Sequence, residues 1–424
     1  YVKGKQKKRK NFGKPPTHID VIRDIKENYL PCIFFTFSRK ACEIKAKELG
    51  KAYSLTNKKE KDRIARVFNE TVPREVKTLL SAQRLRAVIA KGIAFHHAGM
   101  LPNLKEAVEI LFAEGLIKVL YATETFAVGI NMPAKTVAFS ALRKFDGVNF
   151  RYLNTKEYFQ MAGRAGRRGI DKEGKSIVII NRALDDIRKI MKTTYQDSEP
   201  IISQFKLSIN TVINLIHSHD QEEINTILRS NFDYYLRSKE NKQVRIMSTW
   251  KNKLKLLRRH GYLEDDKLTW KGAFLRHIYA NELIVGEIFA TDLHKKLDDK
   301  ETVLTFAVIA YEPKRGVRFY DTRRTGKLSK KLTDKLSQNE YLSKKLNIRS
   351  VRNLATVVND WVDGCDFSEL MKLSNLEEGD YIRLFRQMID YMRQVRKATG
   401  DPELADRMTR CIEMIDKDMV KVEF

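Results

Sequence analysis

The residues best equipped for chemistry lie in one stretch, residues 160–169, which reads QMAGRAGRRG. Arg164 and Arg167 sit three apart among glycines and alanines, and Arg168 follows directly. A guanidinium group stays protonated and its planar fork can donate two hydrogen bonds, so it suits a phosphate that gains charge during transfer. On a helix, residues three apart project from neighbouring positions on one face, and the small residues between them would let a second surface approach closely. The same stretch also reads as a basic, glycine-broken helix end on a solvated face, and its surroundings have to decide between the two.

Those surroundings alternate between strands and helices from Thr17 to about Asn181. Residues 31–37, PCIFFTF, form an apolar run of strand length, and Ser38 is a good N-cap for a helix reaching about Gly50. A second strand is expected at 92–96. Asn103, with Glu106 three residues on, predicts a capped helix that ends at Gly115. Residues 117–122, 136–141 and 176–180 supply three more strands. Such alternation predicts a mainly parallel sheet covered by helices, with ligands at the carboxyl ends of its strands. Ser38 and Arg39, His96 and His97, Thr123 and Glu124, and the arginine stretch are all expected at or just after such ends.

From about Ala183 to Lys271 the pattern becomes helical, with a basic amphipathic helix over 244–260 and a hairpin at 262–269 turning on Asp265 and Asp266. Helices followed by a short hairpin suggest a winged-helix module. From Ala273 onward the pattern reads as a helical bundle. Within it, Leu384, Phe385, Met388, Ile389, Met392 and Val395 form the apolar arc of a helix over 381–395. Arg383, Gln387, Asp390 and Gln394 line a separate polar row on the same helix.

Lysine and arginine together number 80 against 54 acidic residues, a formal charge of +26. Nucleic acid is the partner such a balance favours. Apolar runs are strand-length and fall well short of the roughly 20 residues a spanning helix needs. Cys32, Cys42, Cys365 and Cys411 form no CxxC pair and have no histidines at ligand spacing, which argues against a zinc site and for a reducing, intracellular setting, cytoplasmic or nuclear.

Taken together, HHAGMLP at 96–102, the run from Glu114 through ATETFAVGINMP at 122–133, Phe145-Asp-Gly147 and QMAGRAGRRGID resemble the second RecA-like domain of superfamily 2 helicases. Their order and spacing are similar to those of the Ski-like DExH-box RNA helicases, including members that feed RNA to the exosome. Residues 205–215 and 378–394 resemble that family's winged-helix and C-terminal helical domains less strictly. The resemblance implies an α/β RecA-like parallel-sheet domain at 17–182, preceded by a basic linker at 1–16. A winged-helix domain at 183–272 and a C-terminal helical (ratchet-type) domain at 273–424 would follow.

The resemblance also implies roles. Gln160, Arg164 and Arg167 would face ATP, with Arg167 as an arginine finger. Gly129 and Asn131 match a motif linking ATP to nucleic acid. Thr123 and Glu124 precede them, and Thr123 would hydrogen-bond an RNA phosphate. Thr36, Ser38 and Arg39 match a backbone-contacting motif, with ordinary N-capping as the other reading. Residues 143–151 would be a hairpin, either structural or used to part a duplex, and Arg383 would touch bases. The implied activity is ATP-dependent unwinding of RNA with 3′ to 5′ translocation, on single-stranded RNA or RNA with a 3′ overhang, with an exosome-like decay complex as a possible partner and no membrane. No GxxxxGK[ST] loop or DExH box occurs in the sequence, so ATP and Mg²⁺ would be held largely by a first RecA-like domain expected upstream of Tyr1. Two other readings stay open: a nucleic-acid-binding or regulatory module without turnover, and a related DNA-repair helicase.

Overall fold

Four runs of four residues, Cys32–Phe35 (β1), Ile93–His96 (β2), Val119–Ala122 (β3) and Thr136–Phe139 (β4), are buried at every position. Strands covered on both faces have this unbroken apolar character. Arg143–Phe145 (β5) and Phe150–Tyr152 (β6) pair as an antiparallel ribbon, and Lys175–Val178 (β7) completes a five-stranded parallel sheet in the order β2-β3-β1-β4-β7. Each strand expected from the sequence is present. The chain is represented by a computed structural model that describes residues 15–127, 132–146, 149–195, 200–239 and 245–421. They divide into two compact units between Pro200 and Ile201.

In the first unit the helices are His18–Ile25 (α1), Arg39–Ala52 (α2), Lys58–Thr71 (α3), Arg74–Lys77 (α4), Leu80–Ile89 (α5), Pro102–Ala113 (α6), Thr155–Ala162 (α7) and Ile187–Tyr195 (α8). Ser38 caps α2 as anticipated, its Oγ accepting from the Ala41 N–H. Helix α6 departs from the expected start. Its N-cap is Leu101, and Pro102 takes the first turn, where a residue without an N–H loses nothing. Asn103 therefore lies inside the helix. Gly115 follows its end in the left-handed region, at φ +71°.

The second unit contains Ile209–Ser218 (α9), Gln221–Arg229 (α10), Phe232–Lys239 (α11), Ile246–Arg259 (α12), Trp270–Phe274 (α13), Glu282–Phe289 (α14), Asp299–Ala310 (α15), Gly326–Ser337 (α16), Glu340–Lys345 (α17), Arg349–Val362 (α18), Phe367–Leu370 (α19), Glu378–Ala398 (α20) and Pro402–Ile415 (α21). Between α12 and α13, Leu263–Glu264 (β8) and Lys267–Leu268 (β9) form the expected hairpin. Its central residues Asp265 and Asp266 both have positive φ, as a two-residue turn matched to strand twist requires.

Every residue from 301 to 310 of α15 is buried, and α18, α20 and α21 pack around it. Trp361 of α18 stacks on Phe385 of α20 at 5.3 Å and donates its Nε1–H to the Ile415 carbonyl. The hairpin region is tied in through the buried carboxylate of Glu287, which accepts from Tyr262 Oη (2.8 Å), Lys271 Nζ (2.7 Å) and Asn339 Nδ2 (3.1 Å). Burial opposes ionisation there, yet these three donors hold the Glu287 pKa below its ordinary value.

Gly272, on α13, lies so close to this cluster that a Cβ would overlap the backbone carbonyl of Tyr262. Gly272→Ala is expected to lower stability by about 1–3 kcal/mol, the usual range for forced overpacking. Chemical denaturation of the chain with and without the substitution measures this, and an unchanged midpoint would show that the helix and hairpin can separate freely.

Candidate functional site

Helix α7 carries Gln160 and leads into the arginines. Asn154 caps it in a reciprocal box with Glu157, and Tyr158 fixes its face, lying 5.3 Å from the Phe139 ring on β4 and 3.0 Å through Oη from Ser176 Oγ on β7. Gln160 is exposed. The helix ends at Ala162, and Gly166 takes φ +89°. Arg164 and Arg167 thus lie beyond the helix, and the expected single helical face is not formed. The reason is backbone pairing: Ala165 forms a parallel bridge with Ala134, closed by Ala134 N–H to Arg164 O (2.9 Å) and Gly166 N–H to Ala134 O (2.7 Å). Gly174 lies against this loop, and a Cβ there would overlap the backbone of Ala165 and Gly166.

The two arginines have different partners. Arg164 donates through Nη2 to the Ala127 carbonyl. Arg167 is bidentate on Asp171, Nε to Oδ2 at 2.8 Å and Nη2 to Oδ1 at 2.9 Å, and its own N–H reaches the same carboxylate at 3.0 Å. These hydrogen bonds hold the Asp171 pKa down at about 2. Asp171 ends the QMAGRAGRRGID stretch but was given no role from the sequence; its signal was an acid four residues after Arg167. Arg168 is exposed.

The loop also sits at the other edge of the sheet from the one expected. Arg167 lines a hollow with Leu30 and Pro31, which precede β1, and with Gly115 and Lys118, which precede β3. These are amino ends of strands. A parallel strand of four residues spans roughly 13 Å, so the arginine loop is set apart by about that distance from the residues at the carboxyl ends.

At the carboxyl edge are Thr36, Ser38, Arg39, His96, His97, Thr123 and Glu124. The Thr36 side chain is buried, its hydroxyl donating to Ser38 O (3.1 Å) and lying 3.0 Å from Cys42 Sγ. Ser38 is exposed and Arg39 half-buried. Thr123 Oγ1 lies 2.9 Å from Thr125 Oγ1. His96 Nε2 is 2.8 Å from Glu109 Oε1, and His97 Nε2 is 3.4 Å from Glu43 Oε1 while its Nδ1 accepts from the Gly99 N–H. Among the described residues, no group of three or more His, Cys, Asp or Glu could hold a metal ion. Gly129 and Asn131 lie outside the described residues.

The β5–β6 ribbon is the hairpin read at 143–151, although Gly147 of its expected turn lies outside the described residues. It presents Phe145 and Phe150 outward, ring centroids 5.4 Å apart. Its base is clamped by Glu157 of α7, which receives both terminal nitrogens of Arg151 (2.8 and 2.7 Å), Lys144 Nζ (2.8 Å) and the Asn154 N–H (2.9 Å). Lys144 bridges onward to Glu124 at 2.5 Å. One carboxylate therefore links the hairpin, the residue after Thr123 and the helix leading to the arginines. In the second unit, Arg383 is half-exposed on α20 and donates to Asp380 Oδ1 (3.1 Å), which also accepts from Lys314 Nζ (2.6 Å).

The parallel sheet with this arginine loop is the arrangement of a helicase C-terminal domain. Residues 44–169 match the helicase conserved C-terminal domain, and residues 265–423 match the DSHCT (NUC185) domain. The chain is 42% identical over 231 residues to the exosome RNA helicase MTR4 of Mus musculus, covering 53% of this chain and 22% of that protein. It is 40% identical over 239 residues to the DExH-box ATP-dependent RNA helicase DExH9 of Arabidopsis thaliana (54% and 24%). Over 228 residues it is 39% identical to the antiviral helicase SKI2 of Saccharomyces cerevisiae (52% and 18%). By these matches the chain is a homologue of the Ski-like DExH-box RNA helicases. The matched segments span about a fifth of the length of these relatives. No helix among the described residues is long and apolar enough to cross a membrane.

The Glu157 clamp has a pH signature. Burial works against its ionisation, but Arg151, Lys144 and the Asn154 N–H outweigh it and hold the pKa at about 2, below the ordinary 4.5. A depressed folded-state pKa contributes stability that is present above the unfolded value and lost as pH falls through the folded one. Glu157→Gln should therefore destabilise the chain by about 1–3 kcal/mol at neutral pH. That deficit should shrink between pH 4.5 and 2. Thermal unfolding of both proteins across this range checks it, and a deficit independent of pH would remove the charge from the explanation.

Proposed function

We propose that this chain supplies the second RecA-like half, winged-helix module and C-terminal helical domain of an ATP-dependent RNA helicase that moves 3′ to 5′ on single-stranded RNA or a 3′ overhang. The carrying observation is the arginine loop, docked by backbone pairing on the amino edge of the sheet with Arg167 oriented by Asp171. Mg²⁺-ATP supplies the free energy, held mainly by a partner RecA-like domain that carries the phosphate loop and the metal ligands.

The residues of this chain fit a nucleotide's phosphates. Gln160 is exposed on the helix that leads to the loop. Arg167 uses Nε and Nη2 on Asp171, which leaves its Nη1 group to meet charge that develops on a phosphoryl group. Arg164 is tied to the Ala127 carbonyl, just past the carboxyl end of β3. Closure of the partner domain on this edge would bring Gln160, Arg164 and Arg167 to ATP, while Ser38, Arg39, Thr123 and Glu124 hold the RNA backbone at the other edge.

Thr36 acts in this scheme indirectly: its buried hydroxyl holds the Ser38 turn rather than touching RNA. The β5–β6 ribbon, with Phe145 and Phe150 outward, is suited to stack on and part the end of a duplex, and Arg383 to contact bases. The setting is RNA processing or decay inside the cell, with an exosome-like complex as partner, in line with the similarity to the exosome RNA helicase MTR4 and the antiviral helicase SKI2.

Arg167→Ala, assayed in a protein that also contains the ATP-binding domain, should lower RNA-stimulated ATPase by roughly 10³-fold or more, the usual contribution of an arginine finger. RNA affinity should stay close to that of the unaltered protein. ATPase that survives the substitution would overturn the assignment. ATPase that never appears even with that domain present would favour an RNA-binding module without turnover.

A further inference from the structure

We propose that Tyr279 is a stacking platform for one base of single-stranded RNA, placed at the end of the polar row that Arg383 begins on α20. The proposal rests on the reading that this unit binds RNA, and it adds a contact that lies in no sequence motif. The Tyr279 side chain is 62% exposed, yet the backbone that carries it is fixed from both sides. Its N–H donates to Gln394 Oε1 at 3.0 Å. Gln394 is itself oriented, because its Nε2 donates to Asp390 Oδ2 at 2.6 Å and so turns the amide oxygen toward Tyr279.

The flanking residues are pinned as well. Ile278 is fully buried, and its carbonyl accepts from Asn210 Nδ2 at 2.9 Å. Three residues later Asn281 adopts the left-handed conformation at φ 52° and donates from Nδ2 to Tyr391 Oη at 2.8 Å, on α20 again. Segment 278–281 is thus stitched along α20 while the ring in its middle stays outside. An aromatic ring so held offers a flat apolar face, and a tyrosine has little side-chain freedom to lose on binding.

The surrounding charge fits a nucleotide. Lys397 is exposed and stands three residues after Gln394, so it extends the row 383, 387, 390, 394 by one more step. His277 is held below its ordinary pKa by burial and then by the charges of Lys397 and Arg276, which places two cations within electrostatic reach of this segment. The Nε of Arg276 is buried without a hydrogen-bond partner. A base on the Tyr279 ring would bring its phosphate towards Lys397. Along α20 the row from Arg383 to Gln394 covers roughly 16 Å, enough for a single strand to meet Arg383 and Tyr279 together.

Stacking and phosphate contact can be separated by measurement. Binding of a fluorescent oligoadenylate RNA, and of a ribose-phosphate chain of the same length without bases, is measured by anisotropy at several salt concentrations. Tyr279→Ala should weaken oligoadenylate binding by roughly tenfold, within the range for loss of one base–aromatic stack, and Tyr279→Phe should bind as the unaltered chain does. The salt dependence should be unchanged by Tyr279→Ala and reduced by Lys397→Ala, since only the lysine neutralises a phosphate. On the base-free chain, Tyr279→Ala and the unaltered protein should bind alike. Because the ring is outside the core, unfolding midpoints of Tyr279→Ala and the unaltered protein should coincide.

Oligoadenylate binding unaltered by Tyr279→Ala, in a chain that prefers the oligoadenylate to the base-free strand, overturns this inference and leaves the functional reading standing. Equal weakening on both probes also overturns it, because the effect would then not depend on a base. Failure of the unaltered chain to bind RNA would remove the inference and the RNA-binding reading together.

Discussion

The first unit depends on one carboxylate. Glu157 accepts from Arg151 and Lys144 of the β5–β6 ribbon and from the N–H at the start of its own helix, and through Lys144 it is joined to Glu124. A bidentate arginine and an N-cap N–H impose different directions, so the side chain has little choice of rotamer once both are satisfied. Any displacement of the ribbon is therefore felt at the beginning of α7. Any displacement of α7 is felt three residues later at Gln160 and, past the helix end, at Arg164 and Arg167. The pairing makes a mechanical link out of what would otherwise be a surface hairpin and a separate helix.

The sheet gives that link its reach. Strands β1, β3 and β4 run parallel and in register, so their two edges stay a fixed distance apart. The arginine loop belongs to the amino edge, through the Ala165–Ala134 bridge and the close approach of Gly174. Thr123, Glu124, Ser38 and Arg39 belong to the carboxyl edge. Helix α7 leads from one edge toward the other, and Arg164, past its end, touches Ala127, which follows β3. A signal between a phosphate at one edge and a nucleic-acid backbone at the other need not deform the sheet. It can pass along α7, which is tied to Glu124 through Glu157 and Lys144 at one end and, through Arg164, to Ala127 past the other.

How much of this was legible in the sequence depended on whether the signal was local. The apolar runs at 32–35, 93–96, 119–122 and 136–139 announced strands because both faces of a parallel sheet are covered. The turn at Asp265-Asp266 announced its hairpin for similarly local reasons. The end of α7 was not legible in the same way. Three residues of spacing between Arg164 and Arg167 say helix, but pairing with Ala134, thirty residues earlier, takes the backbone out of it. The edge on which the loop sits was hidden for the same reason. Thr36 is implied as a contact residue only through the motif match, and its buried hydroxyl lies against Cys42, one turn into α2. Asp171 closed the arginine motif without a role of its own and Tyr279 lay in no motif; their places follow from partners that only the folded chain brings together.

In the second unit, α20 shows how one helix can serve a core and a surface without compromise. Its apolar arc, from Leu384 to Val395, is buried against α15, α21 and Trp361, and this fixes the helix in rotation as well as position. With rotation fixed, the residues between the apolar positions are held in one direction. The Asp380 carboxylate is shared between Lys314 and Arg383, which orients the guanidinium, and Asp390 orients the Gln394 amide that holds Tyr279. Arg383 and Gln394 are therefore each restrained by an acid on the same helix, about one turn before it. Flexible side chains would lose conformational entropy on meeting a nucleic acid, whereas groups already held by neighbouring carboxylates lose less. The buried arc supplies the rigidity, and the acids convert that rigidity into a preorganised surface.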